Sequence, residues 1–253
     1  MRNTSRLLKT RLLFSIISSL VLFLACEKSH NQENNTEDIS EKKPTKEVQK
    51  GRLNFSVDTF NIITEERLRL TEEYAQDNYG IATAVMDSIE MIVIHYTAIP
   101  TLEKTLAYFK PDILEAARKK NYRKSKLNVG VHYVIDQEGR VFNLMPDSIM
   151  GRHLIGFNYH SIGIENVGRD STELTAKQVE SNIQLIQFLS QRHSSVKYLI
   201  GHSEYSNESL AHYKTLIAND PTYQPYPKYD PGSDFMKSIR KGLSNKYQLK
   251  FQD

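Results

Sequence analysis

Two histidines and an aspartate stand where side chains can do chemistry. His95 closes the apolar run Ile92-Val93-Ile94-His95-Tyr96, and His202 follows a second run ending in Ile200-Gly201. The ends of strands are where open α/β sheets gather ligands and catalytic groups. Asp230 lies in Pro227-Lys228-Tyr229-Asp230-Pro231-Gly232, where two prolines and a glycine fix the backbone. Two neutral imidazoles and one carboxylate make a suitable zinc triad that leaves a fourth position for water. The spacing itself is weak, because 107 residues separate His95 from His202, 28 separate His202 from Asp230, and no short motif of the H-E-x-x-H kind is present. On residue type and strand ends alone, two core histidines and a turn aspartate describe these positions better than a metal site does. His132 alternates with Val131 and Tyr133 and reads as a satisfied structural histidine.

The elements that must hold these residues are those of one α/β domain. Beside the strand ending at His95, residues 129–136 form a second apolar, β-branched stretch, followed by Gln137-Glu138-Gly139-Arg140 and Val141-Phe142-Asn143-Leu144, a hairpin around a glycine turn. In Ser161-Ile162-Gly163-Ile164-Glu165-Asn166 the aliphatics alternate, so Glu165 points away from the Ile face. Thr175-Ala176-Lys177-Gln178 fits a capping box, and Val179, Ile183, Ile186 and Leu189 mark one face of the helix that follows. Residues 196–200 form a further strand, and helices are expected over 64–77 and 233–243. Strands alternating with helices predict a central mixed β-sheet flanked by helices. The boundaries expected are an N-terminal helical extension over 52–90 and the main domain over 91–245.

Composition narrows the classes. The 253 residues are 39% apolar and 25% charged, with 11 Gly and one Cys, which excludes collagen-like and disulfide-stapled folds. With a single cysteine, any metal must rest on histidine and carboxylate. The formal charge is +3, yet the four bases Arg2, Arg6, Lys9 and Arg11 sit in the first 25 residues, which hold no acid. The 33 bases less those four leave 29 against 30 acids, so no nucleic-acid partner is expected.

Those first 25 residues combine a basic start with an apolar run shorter than the roughly 20 residues of a spanning helix, ending in Leu22-Phe23-Leu24-Ala25-Cys26. This is a secretory signal, and the segment resembles the lipobox of bacterial lipoproteins, with Phe23 where Leu is usual. That resemblance implies cleavage before Cys26, lipidation of its thiol, and a chain anchored to the outer membrane, facing the periplasm. An uncleaved signal anchor is the other reading. Residues 26–51 are polar, with only Ile39 and Val48 as aliphatics, and read as a flexible tether spanning on the order of 25–30 Å.

Taken in order, Ile92-Val93-Ile94-His95-Tyr96-Thr97-Ala98, Val129-Gly130-Val131-His132-Tyr133, Gly139-Arg140, Ser161-Ile162-Gly163-Ile164-Glu165, Gly201-His202-Ser203 and Lys228-Tyr229-Asp230-Pro231-Gly232 resemble the type 2 N-acetylmuramoyl-L-alanine amidases, over about three fifths of the chain. The resemblance implies the fold shared with peptidoglycan recognition proteins. It implies His95, His202 and Asp230 as ligands of Zn2+, with Glu165 and Lys228 at the two catalytic positions. It also implies that His153 and Asn158 contact the muramyl peptide, although hydrogen bonding within their own loop fits them equally. Val131 stands where relatives of the phage-lysozyme type carry Tyr, so this chain resembles the branch that uses Glu instead.

Two function classes remain open. One is a zinc amidase that cuts between N-acetylmuramic acid and the L-alanine of the stem peptide, with peptidoglycan or muropeptides as partners. The other is a non-catalytic peptidoglycan-binding module of the same fold. Because all five positions are filled, hydrolysis is favoured. Hydrolysis of another amide, such as a stem-peptide cross-link, stays open. Residues 204–226 form a tyrosine-containing insertion expected to border the cleft.

Overall fold

A computed structural model of the chain describes residues 55–115, 125–217 and 225–252. The signal, Cys26 and tether readings therefore lie outside the described residues. All that is described falls within one compact unit, Val48–Asp253.

Six strands form one mixed sheet: β1 (Val57–Thr59), β2 (Met91–Tyr96), β3 (Tyr133–Ile135), β4 (Val141–Asn143), β5 (Ser161–Asn166) and β6 (Tyr198–Gly201), in the order β1-β4-β3-β5-β2-β6. β3, β5, β2 and β6 run parallel, β4 is antiparallel to β3, and β1 is parallel to β4. The central β2 is buried along nearly its whole length, as a parallel strand covered on both faces must be. In the β2–β5 ladder His95 is the register partner of Glu165.

Alternation along β2 and β5 separates two environments. Ile92, Ile94, Ile162 and Ile164 join a core with Ile183, Ile186 and Leu189 of α3 (Ala176–Arg192) and Ile239 and Leu243 of α4 (Ser233–Tyr247). Met91 and Val93 pack on the other face against Leu154, Phe157 and Tyr205. His95 belongs to that second face by its period of two. α3 starts at the capping box expected: Thr175 accepts from Gln178 N–H, and the Gln178 side chain accepts from Thr175 N–H. α4 runs a turn beyond the expected end.

The strand expected over 129–136 shortens to Tyr133–Ile135, because its first half turns away to pair Gly130 with Arg152. The hairpin itself stands, with Gly139 at φ 81° in its turn. The N-terminal segment holds more than a helix. β1 adds an edge strand, α1 (Glu65–Tyr79) buries Leu70, Tyr74 and Tyr79, and Val85 pairs with Ile149. α1 is capped by Thr64 and ends at Gly80, which has φ 71°. A short helix missed in the sequence, α2 (Leu102–Phe109), follows the cap Thr101.

The candidate metal centre and its cleft

The topology brings three distant side chains to one point. His95 is the penultimate residue of β2, and His202 opens a 3-10 turn directly after β6. That turn is tied down by Glu204, whose carboxylate accepts from Gly201 N–H (2.7 Å) and from the Arg240 guanidinium of α4 (2.8 and 2.9 Å). Asp230 is held against the turn by Ser203 N–H, which donates to its carbonyl (2.8 Å), and it precedes a cis peptide bond to Pro231.

The resulting distances are 3.0 Å between Nδ1 of His95 and Nδ1 of His202, 3.2 Å from His95 Nδ1 to Asp230 Oδ2, and 3.0 Å from His202 Nδ1 to the same oxygen. Ligand atoms about 2.0–2.1 Å from a tetrahedral zinc ion lie ~3.3 Å from one another, so this donor set fits such an ion with little adjustment. Its protonation fits too. Burial and the neighbouring His95 push His202 down to about 4, which keeps its imidazole neutral as ligation requires. Burial alone would raise Asp230, but hydrogen bonds from His202 and His95 outweigh it and hold the carboxyl well below the ordinary carboxylate range.

His153 stands directly behind this group, its Nδ1 3.2 Å from His95 Nε2. Its ring lies on Gly163, where a Cβ would come within 2.8–2.9 Å of the imidazole atoms. Burial, together with His95 and His132, lowers its pKa well below the usual value. Asn158, expected at the substrate, is instead fully buried. Its Oδ1 accepts from His153 N–H (3.0 Å) and Leu154 N–H (2.7 Å), and its Nδ2 donates to the Tyr74 hydroxyl (2.9 Å). With its amide used in this way, Asn158 shapes the loop that carries His153 and does not reach the cleft. His132 is satisfied as expected, accepting from Gly163 N–H and donating to Ile149 O.

The triad opens into a cleft of about 480 Å³ that Glu165 and Lys228 also line. Glu165 Oε2 is buried with no partner among the described residues. Burial pushes Glu165 up to about 7, with Asp230 adding to the rise and His95 and Lys228 opposing it. Tyr108, Phe109, Leu114, Val129 and Val131 give the cleft a largely apolar part of its lining. Tyr205 and Tyr226 of the insertion border the cleft, Tyr213 instead bonds Glu208, and Tyr223 lies outside the described residues. Of the groups that build this site, the sequence reading did not single out Arg67, although an arginine on an otherwise apolar helix face was the available signal. Arg67 is 1% exposed and donates to the carbonyls of Phe109 (2.7 Å) and Pro111 (2.5 Å), fixing one wall of the cleft from α1.

The family model for N-acetylmuramoyl-L-alanine amidase matches residues 86–232, more than half of the sequence. The chain belongs to that amidase family. The chain is also similar to a peptidoglycan-recognition protein of Drosophila simulans, at 28% identity over 152 residues, which are 56% of this chain and 80% of that protein. Among solved structures it is similar to the amidase LysC from Clostridium intestinale URNW, with a TM-score of 0.45 and 17% identity, covering 78% of this chain and 100% of that one. Bumblebee PGRP-SA gives a TM-score of 0.42 at 18% identity, covering 67% and 88% of the two chains. His95, Glu165, His202, Lys228 and Asp230 all fall inside the segment that this amidase family shares.

Proposed function

We propose that the chain hydrolyses the amide bond between the lactyl group of N-acetylmuramic acid and the L-alanine of the peptidoglycan stem peptide. The observation that carries this reading is the convergence of His95, His202 and Asp230 to 3.0–3.2 Å beside a carboxylate with one oxygen unpartnered among the described residues. A zinc ion held by these three residues would supply an activated water at neutral pH and polarise the amide carbonyl. Glu165 takes the proton from the attacking water at Oε2 and returns it to the alanine nitrogen as the C–N bond breaks. The Lys228 ammonium offsets the negative charge that develops on the carbonyl oxygen. The products are a lactyl carboxylate and a free L-alanine amine. In the same proposal, lipidation at Cys26 keeps the enzyme on the outer membrane, where it acts on peptidoglycan or muropeptides.

The test incubates the chain with purified peptidoglycan, with and without a zinc chelator, and reads new amino termini by mass spectrometry. New L-alanine amines that vanish with chelator and return with zinc are expected. Sedimentation with peptidoglycan without release, even after zinc is restored, would instead support the binding module. New termini at another residue would point to a cross-link amide.

A further inference from the structure

The lysine assigned to charge stabilisation is long, flexible and near the cleft mouth, and such a side chain loses rotamer freedom on being aimed. What aims it is visible in the insertion. Lys228 Nζ donates to the hydroxyl of Tyr226 (2.7 Å) and stands 4.2 Å from the centroid of the same ring, so the ammonium sits at the oxygen end of the side chain and the hydroxyl is what holds it. Tyr226 is 54% exposed, so its ring contributes little to packing. Its backbone, however, is clamped. The hydroxyl of Tyr205 accepts from Tyr226 N–H and donates to Tyr226 O, both at 2.9 Å. Tyr205 is 1% exposed, and its ring packs edge-on against His202 with centroids 5.4 Å apart. A continuous chain of contacts thus runs from the metal-ligand candidate His202 through two tyrosines to the Lys228 ammonium.

We propose that Tyr226, clamped by Tyr205, is a positioning residue that holds the Lys228 ammonium at the reacting carbonyl. The proposal rests on the amidase reading for its consequence on rate, but not for the geometry it asserts. It predicts that Tyr226→Leu and Tyr226→Phe, which both lack the hydroxyl, each lower kcat about tenfold with KM changed less than about twofold. In a Lys228→Ala background, Tyr226→Leu should cost under about twofold, because nothing remains to be positioned. An equal loss in both backgrounds would show a general structural role and overturn the proposal.

A second readout needs no activity. In the full chain labelled with carbon-13 at lysine Cε, the Lys228 resonance, assigned by its absence in Lys228→Ala, should be displaced from those of the exposed lysines by the fixed hydrogen bond to the Tyr226 hydroxyl. That displacement should collapse to the position of the exposed lysines in both Tyr226→Phe and Tyr226→Leu, and shrink in Tyr205→Phe. A wild-type Lys228 resonance among the exposed lysines would overturn the proposal whatever the activity. An inactive wild type that keeps the displaced resonance would sink the amidase reading and leave the positioning intact.

Discussion

In the proposed reaction Glu165 is the residue on which the chemistry turns. Glu165→Gln preserves shape and removes the base, so kcat should fall about 10²- to 10⁴-fold while bound zinc, measured by elemental analysis, is unchanged. Near-normal turnover would remove Glu165 from its role. The pH dependence has a definite sign. A carboxyl raised by burial to about 7 is protonated below that pH and cannot accept a proton, so kcat/KM falls on acidification. A cation in the triad can only pull this limb lower, so it belongs at or below pH 7, and a rate flat down to strongly acidic pH would contradict the mechanism. His160 governs stability rather than rate. Burial lowers it to about 4, with its Nδ1 donating to Phe157 O and its Nε2 facing Thr215 Oγ1. The unfolded chain binds that proton from about pH 6.5 down and the folded chain does not, so unfolding free energy drops between about 6.5 and 4. Urea unfolding across that window should show a shallower slope for His160→Gln. At this scale strand ends singled out His95 and His202 but read alone favoured core histidines, and only the ordered amidase motifs implied a ligand role for them. For Asn158 the sequence left substrate contact and hydrogen bonding within its loop equally open, because its bond to Tyr74 reaches 84 residues away.

Among the elements, β5 carries an unusual constraint. Gly163 faces the His153 ring with no room for a Cβ, and His153 in turn backs His95. Gly163→Ala should therefore tilt His153 away and weaken zinc binding, seen as a rise in the zinc dissociation constant by competition with a chromogenic chelator, while far-UV circular dichroism stays unchanged. Retained zinc affinity would mean that His153 does not hold His95 in place. Local signals predicted elements well where the physics is local. The Thr175 capping box and the α3 stripe are complete within 17 residues. α2 escaped notice because eight residues give only two turns of period, and β1 because a three-residue edge strand is defined by pairing with β4, far along the chain. The early turn of residues 129–132 was likewise a tertiary decision, made by Gly130 pairing with Arg152.

For the whole molecule, the segment shared with the family is smaller than the folding unit. It begins at Met86 and stops at Gly232, so it omits α1 and α4. Yet Leu70, Tyr74, Ile239 and Leu243 are all at most 2% exposed in the same core cluster. A fragment restricted to residues 86–232 should lack a cooperative urea transition that the chain from residue 48 onward retains. Arg67→Met tests the same dependence at one point. It leaves the Phe109 carbonyl without its Arg67 donor, Pro111 O with Asn128 Nδ2 alone and Asp112 without its ion-pair partner, and should cost about 3 kcal/mol by the shift in urea midpoint. The register pairing of His95 with Glu165 has a last consequence. Neighbouring strands sit about 4.8 Å apart because peptide groups bond at that spacing, whatever side chains they bear. The spacing of the backbones that carry the proposed metal ligand and its proposed acid is thus ruled by the peptide bond itself. Substitutions can drift through both faces of the sheet and erode its stability, and the ruler between these two residues keeps its length until the ladder itself comes apart.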